Sequence, residues 1–227
     1  MLRVSEHYVS SQGEGPRTGT MTQFLRFAGC NMRCPGWPCD TQHAIDPAIW
    51  RVQSRQKTVD DIVLDCIEKR VKHVCWTGGE PFMQKESELY NLQRFLDDEG
   101  FYIEVFTNGS FMFPGWALVD LNFIMDWRLQ GSGDADTNRD VRLVNALNLK
   151  RTDCIKFVVT DVTDLLEAKD VYHVLMDQMC KADFYVGAAW GKMDDAFVVE
   201  WILKENLDWK LNVQVHKYIW DPEARGV

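Results

Sequence analysis

Cys30, Cys34 and Cys39 fall within ten residues, in the run Gly29-Cys30-Asn31-Met32-Arg33-Cys34-Pro35-Gly36-Trp37-Pro38-Cys39-Asp40-Thr41. Three thiolates this close can ligate three irons of a cubane [4Fe–4S] cluster and leave the fourth iron open to another ligand. An iron with an open position is a reaction centre. The competing use of closely spaced cysteines is zinc, which takes four ligands, usually as two pairs. Here no fourth cysteine is near, and His43 is the one nearby histidine. A C-x-x-C redox pair is absent. Cys66, Cys75, Cys154 and Cys180 stand singly, mostly in apolar runs, and read as buried packing residues. With seven cysteines and no secretion signal expected, a disulfide framework is not expected either.

A second group that can do chemistry is Trp76-Thr77-Gly78-Gly79-Glu80-Pro81. Adjacent glycines let a ligand approach the backbone closely, and Glu80 offers a carboxylate for a ligand's ammonium. Taken alone, the segment equally fits a plain strand-to-helix turn. Both groups follow apolar runs that read as strands, Phe24 to Ala28 and His73 to Thr77. The C-terminal ends of parallel strands are where α/β folds carry their sites.

The elements needed to position these groups are legible as an alternation. Strands are expected at 21–28, 73–77, 102–106, 122–125, 154–159 and 184–188. A strand-like tail is expected at 213–219. Thr58 caps a helix with apolar residues at Val59, Ile62, Val63, Cys66 and Ile67, one stripe at helical spacing. Further helices are expected over 86–98, which Gly100 ends, 164–179 and 195–206. The stretches 107–122 and 127–150 carry weaker patterns. Strand–helix alternation implies a parallel sheet with helices outside it, and six units make an incomplete barrel. No linker or repeat divides the 227 residues, so one domain, 1–227, is expected. The net charge of −9 disfavours long contacts with nucleic-acid phosphates, and no stretch of 18 apolar residues suggests a membrane span. A small-molecule substrate and a cytoplasmic location are the expectations.

The cysteine cluster and the Gly-Gly-Glu-Pro stretch together resemble the radical SAM superfamily. That resemblance implies S-adenosylmethionine chelating the open iron through its amino and carboxylate groups, with Gly78, Gly79 and Glu80 at the methionine amino group. It also implies an α/β fold, a single-domain incomplete (β/α)6 barrel with reduced helical content. A narrower resemblance spans most of the chain: Ser11-Gln12-Gly13-Glu14-Gly15, Phe24-Leu25-Arg26-Phe27-Ala28-Gly29-Cys30, Cys39-Asp40-Thr41, Thr107-Asn108-Gly109-Ser110 and Gln214-Val215-His216-Lys217, in that order. This set is similar to the 7-carboxy-7-deazaguanine synthases, the ring-contracting enzymes of deazapurine (queuosine-type) biosynthesis.

The resemblance implies substrate contacts from Ser11, Gln12, Gly13, Glu14, Arg26, Thr77, His216 and the C-terminal Val227. It implies cofactor contacts from Trp37, Pro38, Cys39, Asp40, Gly78, Gly79 and Glu80, and a Mg²⁺ ion on the Thr41 hydroxyl. The implied substrate, 6-carboxy-5,6,7,8-tetrahydropterin, is a carboxylate that suits the bidentate fork of Arg26. Mg²⁺ prefers oxygen ligands and keeps positions for substrate and water. Plainer readings stay open beside these. Arg26 shares a strand face with Phe24 and Ala28 and fits a buried ion-pair partner; Gln12 and Glu14 fit a shaped turn; His216 fits a packing residue.

The chain departs from the family pattern in three places. Its cluster spacing is C-x3-C-x4-C in place of C-x3-C-x2-C, so the loop must bulge at Pro35, Gly36, Trp37 and Pro38. Phe106 stands where relatives often carry Glu. Asp126-Trp127-Arg128 replaces a Ser-Pro-Lys cofactor segment; Asp126 is then expected at a ribose hydroxyl and Arg128 at the methionine carboxylate, with an exposed turn as the alternative. The implied reaction uses an external one-electron donor of flavodoxin or ferredoxin type, a deoxyadenosyl radical, ring contraction aided by Mg²⁺ and loss of ammonia. No side chain is assigned as an acid–base catalyst. A homodimer is implied as well. Two other functions fit the cysteines: a glycyl-radical-enzyme activase, and a non-catalytic iron–sulfur or zinc module.

Overall fold

Thr58 initiates the first long helix as its sequence requires. Its hydroxyl accepts from the Asp61 amide and the Asp61 carboxylate accepts from the Thr58 amide, a complete capping box. The computed structural model describes residues 1–36 and 39–227; the expectations for Trp37 and Pro38 lie outside the described residues. In chain order the elements are β1 (Leu2–Ser11), β2 (Met21–Phe27), α1 (Gln42–Ile45), α2 (Pro47–Gln53), β3 (Arg55–Lys57), α3 (Val59–Lys69), β4 (His73–Gly78), α4 (Glu86–Asp98), β5 (Tyr102–Thr107), α5 (Gly115–Asp120), β6 (Asn122–Trp127), α6 (Arg139–Asn148), β7 (Cys154–Val159), α7 (Val162–Asp177), β8 (Asp183–Ala188), α8 (Asp195–Lys204), β9 (Lys210–Leu211) and α9 (His216–Ile219).

One nine-stranded sheet runs β3-β1-β2-β4-β5-β6-β7-β8-β9. From β2 to β9 neighbours are parallel, whereas β1 pairs antiparallel with both β2 and β3. The six expected strands are thus all present and, with β9, form the parallel part of an incomplete barrel. β1 and β3 extend it beyond the sequence expectation. The expected tail strand is corrected: 213–219 contains the one-turn helix α9, and the last strand is the two-residue β9. α5 and α6 fill the stretches with weak patterns.

Alternation along the strands divides the interior in two. Phe123, Met125 and Trp127 of β6, with Ile155, Phe157 and Val159 of β7, face the helices and join the main core. Ile124, Cys154 and Tyr185 form a small cluster of their own with Phe106, on the opposite faces of the same strands. That cluster lines the lumen along β5 to β8, and Asp126 and Lys156, one step further along their strands, lie toward its mouth. Cys66, Cys75, Cys154 and Cys180 are buried free thiols, as expected for packing residues.

In α3, Val59, Ile62 and Cys66 are buried but Ile67 is exposed, so the stripe is narrower than its sequence implied. In α4, Leu89, Leu92 and Leu96 are buried. Leu92 is fully buried and Leu64 of α3 is exposed. Leu92→Ala is expected to cost about 2–5 kcal/mol in denaturant unfolding, and Leu64→Ala less than about 0.5 kcal/mol.

Candidate active site

The loop after β2 carries the three cysteines, and backbone contacts set its course. Gly29 N–H donates to Ala44 O at 2.7 Å, Gly79 N–H to Phe27 O at 2.9 Å and Glu80 N–H to Gly29 O at 2.8 Å. A Cβ on Gly79 would stand 1.8 Å from Gly29 O, and one on Gly78 2.1 Å from Phe27 O. These glycines therefore let the end of β4 lie directly on the start of the cysteine loop, a requirement independent of any ligand. Farther along, Gly36 N–H donates to Ser132 O at 3.0 Å, and Arg33 N–H to the Asp134 carboxylate at 2.8 Å. Arg33 and Gly36, on either side of Cys34, thus rest on the turn that follows β6.

Cys30, Cys34 and Cys39 are half-buried and free. Cys30 Sγ lies 3.8 Å from Asn108 Nδ2, and Cys39 Sγ lies 3.3 Å from Thr41 Oγ1. Burial pushes the Cys30 thiol up to about 11 and raises that of Cys34 as well. Such thiols keep their protons until a metal displaces them. Burial also works against the charge of Arg128, but the Asp126 carboxylate, and after it the thiolate forms of Cys34, Cys39 and Cys30, favour its protonated guanidinium and raise its pKa above the ordinary range. One cation therefore lies in the field of all three sulfurs. Soft sulfur donors beside a fixed positive charge fit an anionic iron–sulfur cluster. Among the described residues, no three His, Cys, Asp or Glu side chains converge closely enough to hold a single ion. A cubane takes one thiolate per iron, so three cysteines supply three of its four irons.

Glu80 is fully buried. Its carboxylate accepts from the Thr107 hydroxyl at 2.7 Å, the Asn108 amide at 2.8 Å and the Phe82 amide at 3.1 Å. Burial pushes its pKa up to about 7 despite those donors. Glu80 thereby ties the end of β4 to the end of β5. Asn108 continues the tie into the cysteine loop, donating to Asn31 Oδ1 at 3.1 Å. Arg142 of α6 secures the same strand end from outside, donating to the carbonyls of Asn108, Ala135 and Thr137, each at 3.0 Å.

Arg26 and Thr77 are paired neighbours on β2 and β4. Arg26 donates to Glu6 Oε2 at 2.9 Å and to the Tyr8 hydroxyl at 3.0 Å. His43 Nε2 lies 3.0 Å from the same Glu6 oxygen. Gln12 is buried and donates to Glu104 across the lumen. Ser11 ends β1, paired with Met21.

Glu14 and the C-terminal segment close the mouth. The Glu14 carboxylate accepts from Lys156 Nζ at 2.5 Å and from Gln214 Nε2 at 2.8 Å. Burial raises its pKa, but the Lys156 charge and these hydrogen bonds prevail and hold it down at about 2. Gly15 N–H donates to Asn212 Oδ1 at 2.8 Å, and Val215 N–H to Gly13 O at 3.0 Å. His216 packs so tightly on Gly13 that a Cβ there would lie 2.2 Å from its Nδ1. Lys217, itself buried, reaches Asp40 Oδ1 at 2.9 Å, beside Cys39.

Asp126 Oδ1 receives Lys156 Nζ at 3.0 Å, and Arg128 Nη2 lies 3.4 Å from Asp126 Oδ2. Asp126 and Arg128 are thus at the mouth and not on an exposed turn. Trp127 requires a correction: it points to the other face of β6 and is buried in the core beneath the helices, so its indole does not reach the mouth. Val227 is half-buried at the end of the exposed run 221–226. Thr41 Oγ1 donates to Gly78 O at 3.1 Å. Sequence reasoning missed Lys156, Glu6 and Arg142, and quoted Asn108 and Lys217 within motifs without giving either a role of its own. A usable signal existed for Lys156, because a lysine inside Cys-Ile-Lys-Phe-Val-Val must find anionic partners if the strand is central.

A family model described as a 4Fe-4S single cluster domain matches residues 11–121. The chain is 32% identical over 229 residues to a 7-carboxy-7-deazaguanine synthase of Clostridium acetobutylicum, covering 99% of each chain. It is 33% identical to a 7-carboxy-7-deazaguanine synthase of Methanospirillum hungatei, covering 96% of this chain and 85% of that one. In fold it is similar to QueE from Escherichia coli, with a TM-score of 0.75 at 20% identity over 95% of this chain and 94% of that one.

The loop geometry makes a selective prediction about cysteine. After anaerobic reconstitution the intact protein is expected to hold iron and acid-labile sulfide at about four each per chain, the content of one [4Fe–4S] cluster. Replacing Cys30, Cys34 or Cys39 by Ala should abolish that content, whereas Cys66→Ala or Cys154→Ala should leave it intact. Metal and sulfide analysis reads the difference.

Proposed function

We propose that this chain, which belongs to the 7-carboxy-7-deazaguanine synthase family, is a radical S-adenosylmethionine enzyme converting 6-carboxy-5,6,7,8-tetrahydropterin to 7-carboxy-7-deazaguanine with loss of ammonia. The observation that carries this reading is the meeting of two sets of groups at one barrel mouth. Arg128 lies in the field of the three thiols, Thr41 beside Cys39 donates to the carbonyl of Gly78 next to the Arg26–Thr77 pair, and Gln214 donates to both Glu14 and Asp40. Belonging to this family sets aside the activase and the inert metal module. We take residues 1–227 as one catalytic domain.

Cys30, Cys34 and Cys39 hold the [4Fe–4S] cluster. Gly78, Gly79, Glu80, Asp40, Asp126 and Arg128 border the S-adenosylmethionine position, with Arg128 facing a carboxylate and Asp126 accepting from a hydroxyl. When bound, these groups supply the one-electron chemistry that generates an organic radical; the chain supplies position and exclusion of water. Arg26 exchanges its Glu6 partner for the substrate carboxylate, to which it can present two parallel N–H donors. Thr77 lies beside it. Gln12, Glu14 and His216 border the ring of the substrate, whose N–H edges suit a carboxylate acceptor. Thr41 would offer one hydroxyl oxygen to Mg²⁺, a hard cation that prefers oxygen ligands and would stabilise negative charge on the substrate. A flavodoxin or ferredoxin serves as reductant, the enzyme works as a homodimer, and its location is cytoplasmic. No helix among the described residues is long and apolar enough to cross a membrane.

The direct test is anaerobic incubation of reconstituted protein with dithionite, S-adenosylmethionine, Mg²⁺ and the tetrahydropterin. Formation of 7-carboxy-7-deazaguanine is expected. Cofactor cleavage with the pterin left intact would reject the reading. Arg26→Gln removes a charge-assisted contact of about 1.5–3 kcal/mol, so KM for the pterin should rise roughly ten- to a hundredfold while kcat changes much less.

A further inference from the structure

Lys156 is a charged residue in an otherwise apolar strand, with only 6% of its side chain exposed. Its Nζ meets Glu14 at 2.5 Å and Asp126 at 3.0 Å, and lies 5.4 Å from the centroid of the Phe106 ring. Glu14 follows β1, the second strand of the sheet in spatial order, whereas Lys156 belongs to β7, the seventh. The contact therefore spans the lumen. Asp126 in turn contacts Arg128, which lies in the field of the cluster thiols. Lys156 thus touches a residue on the substrate side and a residue on the cofactor side at once.

We propose that Lys156 is a positioning residue that couples the two subsites, by fixing Glu14 and Asp126 at a set separation so that filling one subsite preorganises the other. The assignment of the subsites rests on the function proposed above; the triad itself is a feature of the fold. Without the ammonium, Glu14 and Asp126 lose the cation they share: Glu14 keeps only neutral donors, Asp126 keeps only its 3.4 Å contact with Arg128, and the loop bearing Glu14 has lost its hold on β7. Other groups face Glu14 from the tail: Gln214 and Asn212, which donate to it, and His216, whose imidazole burial disfavours as a cation. None supplies the fixed charge that Lys156 brings, and none contacts Asp126.

The test is anaerobic calorimetric titration of S-adenosylmethionine into reconstituted protein, with and without saturating 6-carboxy-5,6,7,8-tetrahydropterin. Reductant is omitted so that no turnover occurs. In the wild type the pterin is expected to tighten cofactor binding by about five- to a hundredfold, the usual range of coupling between sites. In Lys156→Met that factor should fall to about one, and Lys156→Arg should restore most of it. A role confined to stability would lower the melting temperature and leave the factor unchanged. Coupling in Lys156→Met equal to the wild type, or a wild type that binds both ligands without mutual tightening, overturns the proposal. A wild type that binds no pterin rejects the function itself. Should Lys156→Met not fold, Lys156→Gln, which keeps a donor without the charge, carries the same expectations.

Discussion

A buried ion triad, Glu14–Lys156–Asp126, holds together the mouth of a barrel whose sheet stays open. β3 and β9 are the two edges of that sheet. Its mouth is therefore held by side chains crossing the lumen and by backbone contacts between the 11–15 loop and the C-terminal segment. Burying such charges is weak evidence for stability, because desolvation offsets most of the Coulomb attraction. Removing one member is a different matter, since it strands the other charges in a site with little water. The triad is better understood as a device that fixes geometry, and the polar groups around it inherit their positions from it.

The same logic orders the cysteine loop. Its backbone lies against the end of β4 closely enough to demand Gly78 and Gly79. Glu80 then binds that strand end to Thr107 and Asn108 of the next. Arg128 brings a positive charge toward sulfurs whose ligand form is anionic. Along β5 to β8 the lumen beside these polar groups is lined by Ile124, Cys154, Tyr185 and Phe106. An apolar lining next to charged groups strengthens the electrostatic contacts they make.

Much of this was legible in the sequence because the signals were local. The three cysteines, the Gly-Gly-Glu-Pro turn and the six parallel strands are each written within a few consecutive residues. β1 escaped notice for a physical reason: its lumen-facing positions include Glu6, Tyr8 and Ser10, so its alternation sets polar groups where a buried strand usually has apolar ones. The tail misled in the opposite sense. Val213, Val215 and Ile219 suggest a strand, yet Val215 bonds to Gly13 and the chain then makes a single helical turn. Trp127 was placed by its neighbours in sequence, and strand alternation sends it to the other face. Which carboxylates Lys156 and Lys217 would meet was out of reach for a different reason. Their partners are 142 and 177 residues away in the chain, and pairing at that range is decided by topology.

Amide hydrogen exchange at Gly15 and Val215 in the intact protein tests most directly whether the mouth is latched. Gly15 N–H is held by Asn212, and Val215 N–H by Gly13. Slow exchange at both, with matching protection, is the expected result. Exchange at the rate of an unstructured peptide while β4 to β7 stay protected would show that loop and tail move independently, and would contradict a site assembled across the open sheet.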